Sequence, residues 1–227
     1  MIGLKSIICA VCLFGLGVVR LQAAFVLEID TDGADDGVLT FNSLFSFGND
    51  TTTASQSTAG TALGLTGGDS IFGGTGVNFP DTYLYNYSPD SIADNLVLTT
   101  GTDLGGGNLA TGVLGGSAGL YNVYATWPST TNVSGGLTTY TAVTSGDSFS
   151  VSLNQNGLGD EWIFLGQINY TSGMIQVEQK PEFNTFVSQR ASGLLFEAVP
   201  EPSATLLLWI GGYAFASRRR RPTLFVG

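Results

Sequence analysis

Tyr121-Asn122-Val123-Tyr124-Ala125-Thr126-Trp127-Pro128 is the stretch that decides the fold class. Apolar side chains recur at every second residue (Tyr121, Val123, Ala125, Trp127) and a proline closes the run. It therefore reads as a strand with one buried face. That strand is expected over residues 120–127, and nine other runs carry the same alternating, β-branched or aromatic character: 25–29, 38–47, 82–87, 96–99, 138–144, 148–153, 162–168, 174–178 and 194–199. Ser145-Gly146-Asp147, Asn156-Gly157 and Ser172-Gly173 fall between them, where hairpins need positive φ. No stretch between the two ends shows a 3.6-residue apolar period with caps. Ten short strands without helices predict an all-β sandwich or jelly roll. Residues 50–68 and 101–119 read as loops, the second with Leu104, Leu109 and Leu114 available to tack it to the core.

Charge and composition narrow the function classes. Residues 25–199 hold 17 acidic residues against Lys180 and Arg190, a net of −15. Nucleic acid and anionic membrane surfaces are poor partners for such a body. The chain has no histidine, which removes Ser-His-Asp, Cys-His and ordinary zinc chemistry. Its two cysteines, Cys9 and Cys12, both lie near the N-terminus.

Residues 1–24 combine Lys5, an apolar stretch from residue 7 to 19 and a small-residue exit, Leu21-Gln22-Ala23-Ala24. This is the pattern of a secretory signal peptide read by the Sec export machinery, with cleavage expected after Ala23 or Ala24. Neither cysteine follows the pattern lipidation requires. The processed protein would then contain no cysteine and no disulfide.

The other end carries Val199-Pro200-Glu201-Pro202, an apolar run over residues 203–217, then Arg218, Arg219, Arg220 and Arg221. The prolines fix φ and disfavour helix in the residues before them, so 199–201 is expected to be extended. The apolar run must be helical in lipid. At 15 residues it spans about 22 Å, shorter than the roughly 20 residues of an ordinary span. The arginines place the C-terminus on the cytoplasmic side. Residues 200–221 resemble the PEP-CTERM sorting signal of Gram-negative bacteria that make exopolysaccharide. The resemblance implies an exosortase partner, transient residence in the inner membrane, then release to the cell surface or extracellular matrix. Residues 222–227 extend past the arginines, where such signals usually stop.

Within the body (25–199), residues 119–199 carry a second resemblance. The 121–128 strand with its aromatic-proline end is followed by Gln155-Asn156-Gly157-Leu158-Gly159-Asp160-Glu161-Trp162-Ile163-Phe164-Leu165-Gly166 and closes on Phe196-Glu197-Ala198-Val199. This order is similar to the golvesin C-terminal or xanthan-lyase accessory domain. Glu161 stands where a small residue is common, and Glu197 where Asp is usual. The resemblance implies a jelly-roll-like, galactose-binding-type β-sandwich of the kind appended to polysaccharide-active enzymes.

Candidate sites are few. Asp160-Glu161 is the obvious carboxylate pair for glycosidase chemistry, but adjacent residues on a strand point to opposite faces. The alternative is an acidic hairpin flank. Asp30, Asp32, Asp35 and Asp36 with Gly33 and Gly37 suit a hard cation such as calcium. An EF-hand loop starting at Asp32 fails, because Ala34 and Ser43 occupy positions that need ligand oxygens; a solvated acidic turn is the other reading. Tyr83, Tyr85 and Tyr87 share one face of a strand. They form either a stacking platform for sugar rings or part of the core. Trp127 and Trp162 read as core. Gly105-Gly106-Gly107 lacks the helix and lysine of a phosphate loop.

The expectation is a secreted, non-catalytic, structural or adhesive surface or matrix protein without a cofactor, with carbohydrate binding in the exopolysaccharide matrix as its leading specific activity and calcium as the one candidate ion. The alternatives are a small carboxylate-dependent polysaccharide enzyme and a structural component without a specific ligand.

Overall fold

A computed structural model describes residues 24–49, 51, 53–66, 69–73, 81–112, 116, 118–131, 133, 136–182 and 188–200. Among them the regular elements are all strands: β1 (Phe25–Glu28), β2 (Phe45–Gly48), β3 (Ser55–Ser57), β4 (Ser70–Gly73), β5 (Thr82–Tyr87), β6 (Asp103–Gly105), β7 (Asn108–Leu109), β8 (Gly119–Thr126), β9 (Thr138–Val143), β10 (Ser148–Leu153), β11 (Ile163–Tyr170), β12 (Ile175–Pro181), β13 (Gln189–Ala191) and β14 (Gly193–Ala198). The pairs are antiparallel. One sheet runs β1-β14-β8-β11 and a larger one β10-β9-β12-β5-β2; a small sheet, β13-β4-β3, and the hairpin β6-β7 complete the set.

The two main sheets share one core. Phe25, Leu27, Tyr121, Val123, Ile168, Leu194 and Phe196 come from the four-stranded sheet, and Phe45, Tyr83, Tyr85, Tyr87, Tyr140, Ile175 and Val177 from the five-stranded one. Ring contacts tie the layers together. Tyr87 stacks on Phe25 with centroids 4.7 Å apart and on Phe196 at 4.5 Å. Each such pair contributes about 0.5–1.5 kcal/mol beyond its buried area. In β10 of the larger sheet, Ser148, Ser150 and Ser152 face water while Phe149, Val151 and Leu153 pack against the core.

The four-stranded sheet differs, because β14 is buried at every position and β8 from Tyr121 onward. Its outer face carries a second apolar cluster of Val26, Tyr124, Trp162 and Leu195. Ala62, Leu98 and Ala110 cover it from loops, and Leu104 from β6. Leu104 therefore does tack its loop down, whereas Leu109 is exposed and Leu114 lies outside the described residues.

Two expected strands are largely absent. Within 38–47 the ladder begins at Phe45, because side-chain oxygens take the amides upstream. Asp36 accepts from Val38 N at 2.9 Å, Asp30 from Thr40 N at 3.1 Å and Asn42 from Leu44 N at 2.9 Å. Local bonding of this kind competes with sheet pairing. The 96–99 run reduces to one bridge, Leu96 to Ala24. The short strands β3, β4, β6, β7 and β13 had no apolar pattern to announce them.

Candidate functional site

The tyrosine row is core. Tyr83, Tyr85 and Tyr87 point inward from β5 and are essentially fully buried. The sugar platform therefore does not exist at these residues. Phe45 and Phe25 offered the row an aromatic partner on the inside, and burying such rings is worth more than exposing them. Tyr85 donates its hydroxyl hydrogen to Gln179 Oε1 at 2.9 Å. Burial pushes the phenols of Tyr83, Tyr85, Tyr87 and Tyr140 well above their usual range.

A pH dependence follows. A phenol whose folded pKa is raised binds its proton more tightly in the native state, so this stability is complete below the unfolded pKa of about 10 and falls as pH rises beyond it. In an alkaline titration, tyrosinate absorbance from these four rings is expected to grow together with loss of near-ultraviolet circular dichroism. Smooth ionisation near pH 10 with the fold intact would contradict their burial.

Asp160 and Glu161 each accept hydrogen bonds from neighbouring loops. Asp160 sits at φ 58°, a left-handed conformation a short polar residue tolerates. Its Oδ1 accepts from Thr61 N and its Oδ2 from Ser129 N, both at 3.0 Å. Glu161 Oε2 accepts from Gly106 N in the hairpin β6-β7. Gly105 has φ 87°, and a Cβ there would stand 2.4 Å from Glu161 Cβ. The glycine triplet is thus a turn folded onto a carboxylate. Each acid ties a different loop to the body.

The four aspartates expected to hold calcium do not assemble. Asp30 is buried and spends Oδ1 on Asp32 N and Thr40 N. Asp32 Oδ1 accepts from Ala34 N at 2.9 Å, and Asp36 Oδ1 accepts from Val38 N. Among the described residues no group of three or more acidic, histidine or cysteine side chains stands in metal-ligating arrangement. Asp35 instead meets Asp69, a residue the sequence did not single out. Asp69 lies 34 positions along the chain, just before β4, and no local pattern signals the meeting.

Two buried polar residues hold the fold where the sequence motif had named them only as motif positions. Gln155 behaves like an extra peptide group. Its Nε2 donates to Tyr140 Oη (2.9 Å) and Arg190 O (2.8 Å), its Oε1 accepts from Arg190 N (2.8 Å), and its backbone oxygen accepts from Trp127 Nε1 (3.2 Å). Glu197 is buried on the outer face of β14, where it accepts from Thr111 N, Asn122 Nδ2 and Tyr124 Oη at 2.8, 3.0 and 3.2 Å.

At the ends of the body, Ala24 is buried in the second apolar cluster and its carbonyl accepts from Leu96 N at 2.9 Å. Val199 N donates to Leu120 O at 2.8 Å, and Pro200 is exposed. Ala23, Glu201, Pro202, the 203–217 run and Arg218 to Arg221 lie outside the described residues. Among the described residues no helix is long and apolar enough to cross a membrane.

No protein-family profile matches the chain, and no curated protein does. Among solved structures the chain is similar to a Paenibacillus xanthan lyase, with 16% sequence identity and a TM-score of 0.49. The match covers 79% of this chain and 13% of that one.

Proposed function

We propose that this chain is an exported, non-catalytic surface or extracellular-matrix protein with a jelly-roll-like, galactose-binding-type body. On this reading it passes through Sec and is sorted by an exosortase acting on its C-terminal tail, after transient residence in the inner membrane. One observation carries the reading. Phe25 pairs with Phe196 in register, so the start of β1 and the end of β14 emerge at the same end of one sheet. Cutting the chain before β1 and after β14 therefore removes no strand.

The seat of Ala24 refines the first cut. Cleavage after Ala24 would strip a buried side chain and the acceptor for Leu96 N, whereas cleavage after Ala23 leaves both in place. Mass spectrometry of protein recovered from the producing cells is expected to find Ala24 as the N-terminus and a C-terminus within or close to the Val199–Pro202 motif. A surface form that still ends in Gly227 would defeat the sorting assignment.

A second reading, contact with neutral polysaccharide, is favoured by the outward face of the larger sheet. Thr139 and Thr141 meet Ser152 and Ser150 hydroxyl to hydroxyl at 2.7 and 3.0 Å. Gln176 donates to Asn86 at 2.9 Å, and the Lys180–Glu178 pair cancels its own charge. Slower migration in gels containing a neutral polysaccharide, restored to normal by acidic substitutions at Thr141 and Ser150, would support it.

A further inference from the structure

The geometry points to a divalent-cation site built on Asp35 and Asp69, with the side chain of Gln56 beside it. Asp69 is 1% exposed. Its Oδ2 accepts from Gly37 N at 3.2 Å, while its Oδ1 is buried with no hydrogen-bond partner. The carboxyl of Asp35, which is exposed, lies within hydrogen-bonding reach of that of Asp69, and Asp36 adds a third negative charge nearby. Gln56 Oε1, on β3, stands 3.5 Å from where a Gly37 Cβ would be.

Two carboxylates in contact repel unless a proton or a cation lies between them. A shared proton cancels only one of the two charges, and Asp69 Oδ1 has no hydrogen-bond partner. A hard divalent ion cancels both charges and uses that oxygen, and the net −15 body concentrates such ions around itself. Contact with Asp69 raises the pKa of Asp35. Burial works against the charge on Asp69, but hydrogen bonds from Asp35, Gln56 and the Gly37 and Asp36 amides outweigh it and hold that carboxyl below its ordinary value. With two carboxylates, affinity should fall near the about 0.1–1 mM of extracellular calcium modules.

The test uses the full-length protein, stripped with chelator and then titrated with calcium, with heat of binding and thermal midpoint as readouts. At roughly a hundredfold excess over Kd the midpoint should rise by about 5 °C. D69N and D35N should abolish both the heat and the rise. Asp35 is exposed, so D35N keeps the test decisive if D69N fails to fold. In metal-free buffer at neutral pH, D35N should melt above the parent protein, because it removes the repulsion while its amide N–H still donates to Asp69. The site is refuted if calcium leaves the parent midpoint unmoved, or if D35N keeps the full calcium response.

Discussion

Trp127→Ala should lower the stability of the body by about 3–5 kcal/mol, read from the denaturant midpoint with an unchanged slope. The indole is fully buried in the shared core, stacked on Tyr140 with centroids 6.4 Å apart. Truncation opens a cavity that neighbouring strands cannot fill, because Trp127 O and its flanks are held by Asp160 N at 2.8 Å. Gly159 also packs there so tightly that a Cβ would meet Trp127 O at 2.5 Å. Trp127→Phe should cost less, since it keeps most of the apolar volume and forfeits the indole bond to Gln155 O, a loss of about 1 kcal/mol beyond packing. A Trp127→Ala loss below about 1 kcal/mol would mean the cavity collapses freely. The rigid frame around Trp127 argues against that.

Glu197→Ala should cost a similar amount, about 3–5 kcal/mol, for a different reason. Its carboxylate satisfies a backbone amide, a side-chain amide and a phenol at once. Removing it takes the acceptor from three donors, two of them on the buried residues Asn122 and Tyr124. Glu197→Gln preserves shape but turns an amide N–H toward those donors, so about half the loss is expected. Hydrogen exchange distinguishes this from general weakening. The Thr111 amide should lose protection in both variants, while Val123 and Leu194, deep in the same sheet, keep theirs relative to global stability. Equal protection loss at all three would refute a local clamp.

How much of this was legible beforehand depends on the reach of each interaction. Strands with strict alternation, 82–87 and 148–153, were readable to the residue because a half-buried strand writes its two faces into every second position. The 38–44 stretch misled because its side chains, not its backbone pattern, decide where the amides go. Strand β13 was unreadable for the same reason. Gln189-Arg190-Ala191 pairs with β4 on one side and borrows the Gln155 amide on the other, 35 residues away. The tyrosine row was correctly placed on one face, but which face meets the core depends on Phe25 and Phe45, whose positions only the tertiary fold fixes. Asp35 was among the residues singled out. Asp69 was not, since the two are joined by loop packing that no short-range rule encodes.

The pairing of β1 with β14 also sets a schedule. The strand made first waits for the strand made last, with about 170 residues between them, and separations of that length slow closure. Any apparatus that feeds this polypeptide lengthwise must therefore pass nearly all of it before the smaller layer can lock. A chain stalled midway lacks β14, so β1 and β8 remain apart until that last strand arrives between them.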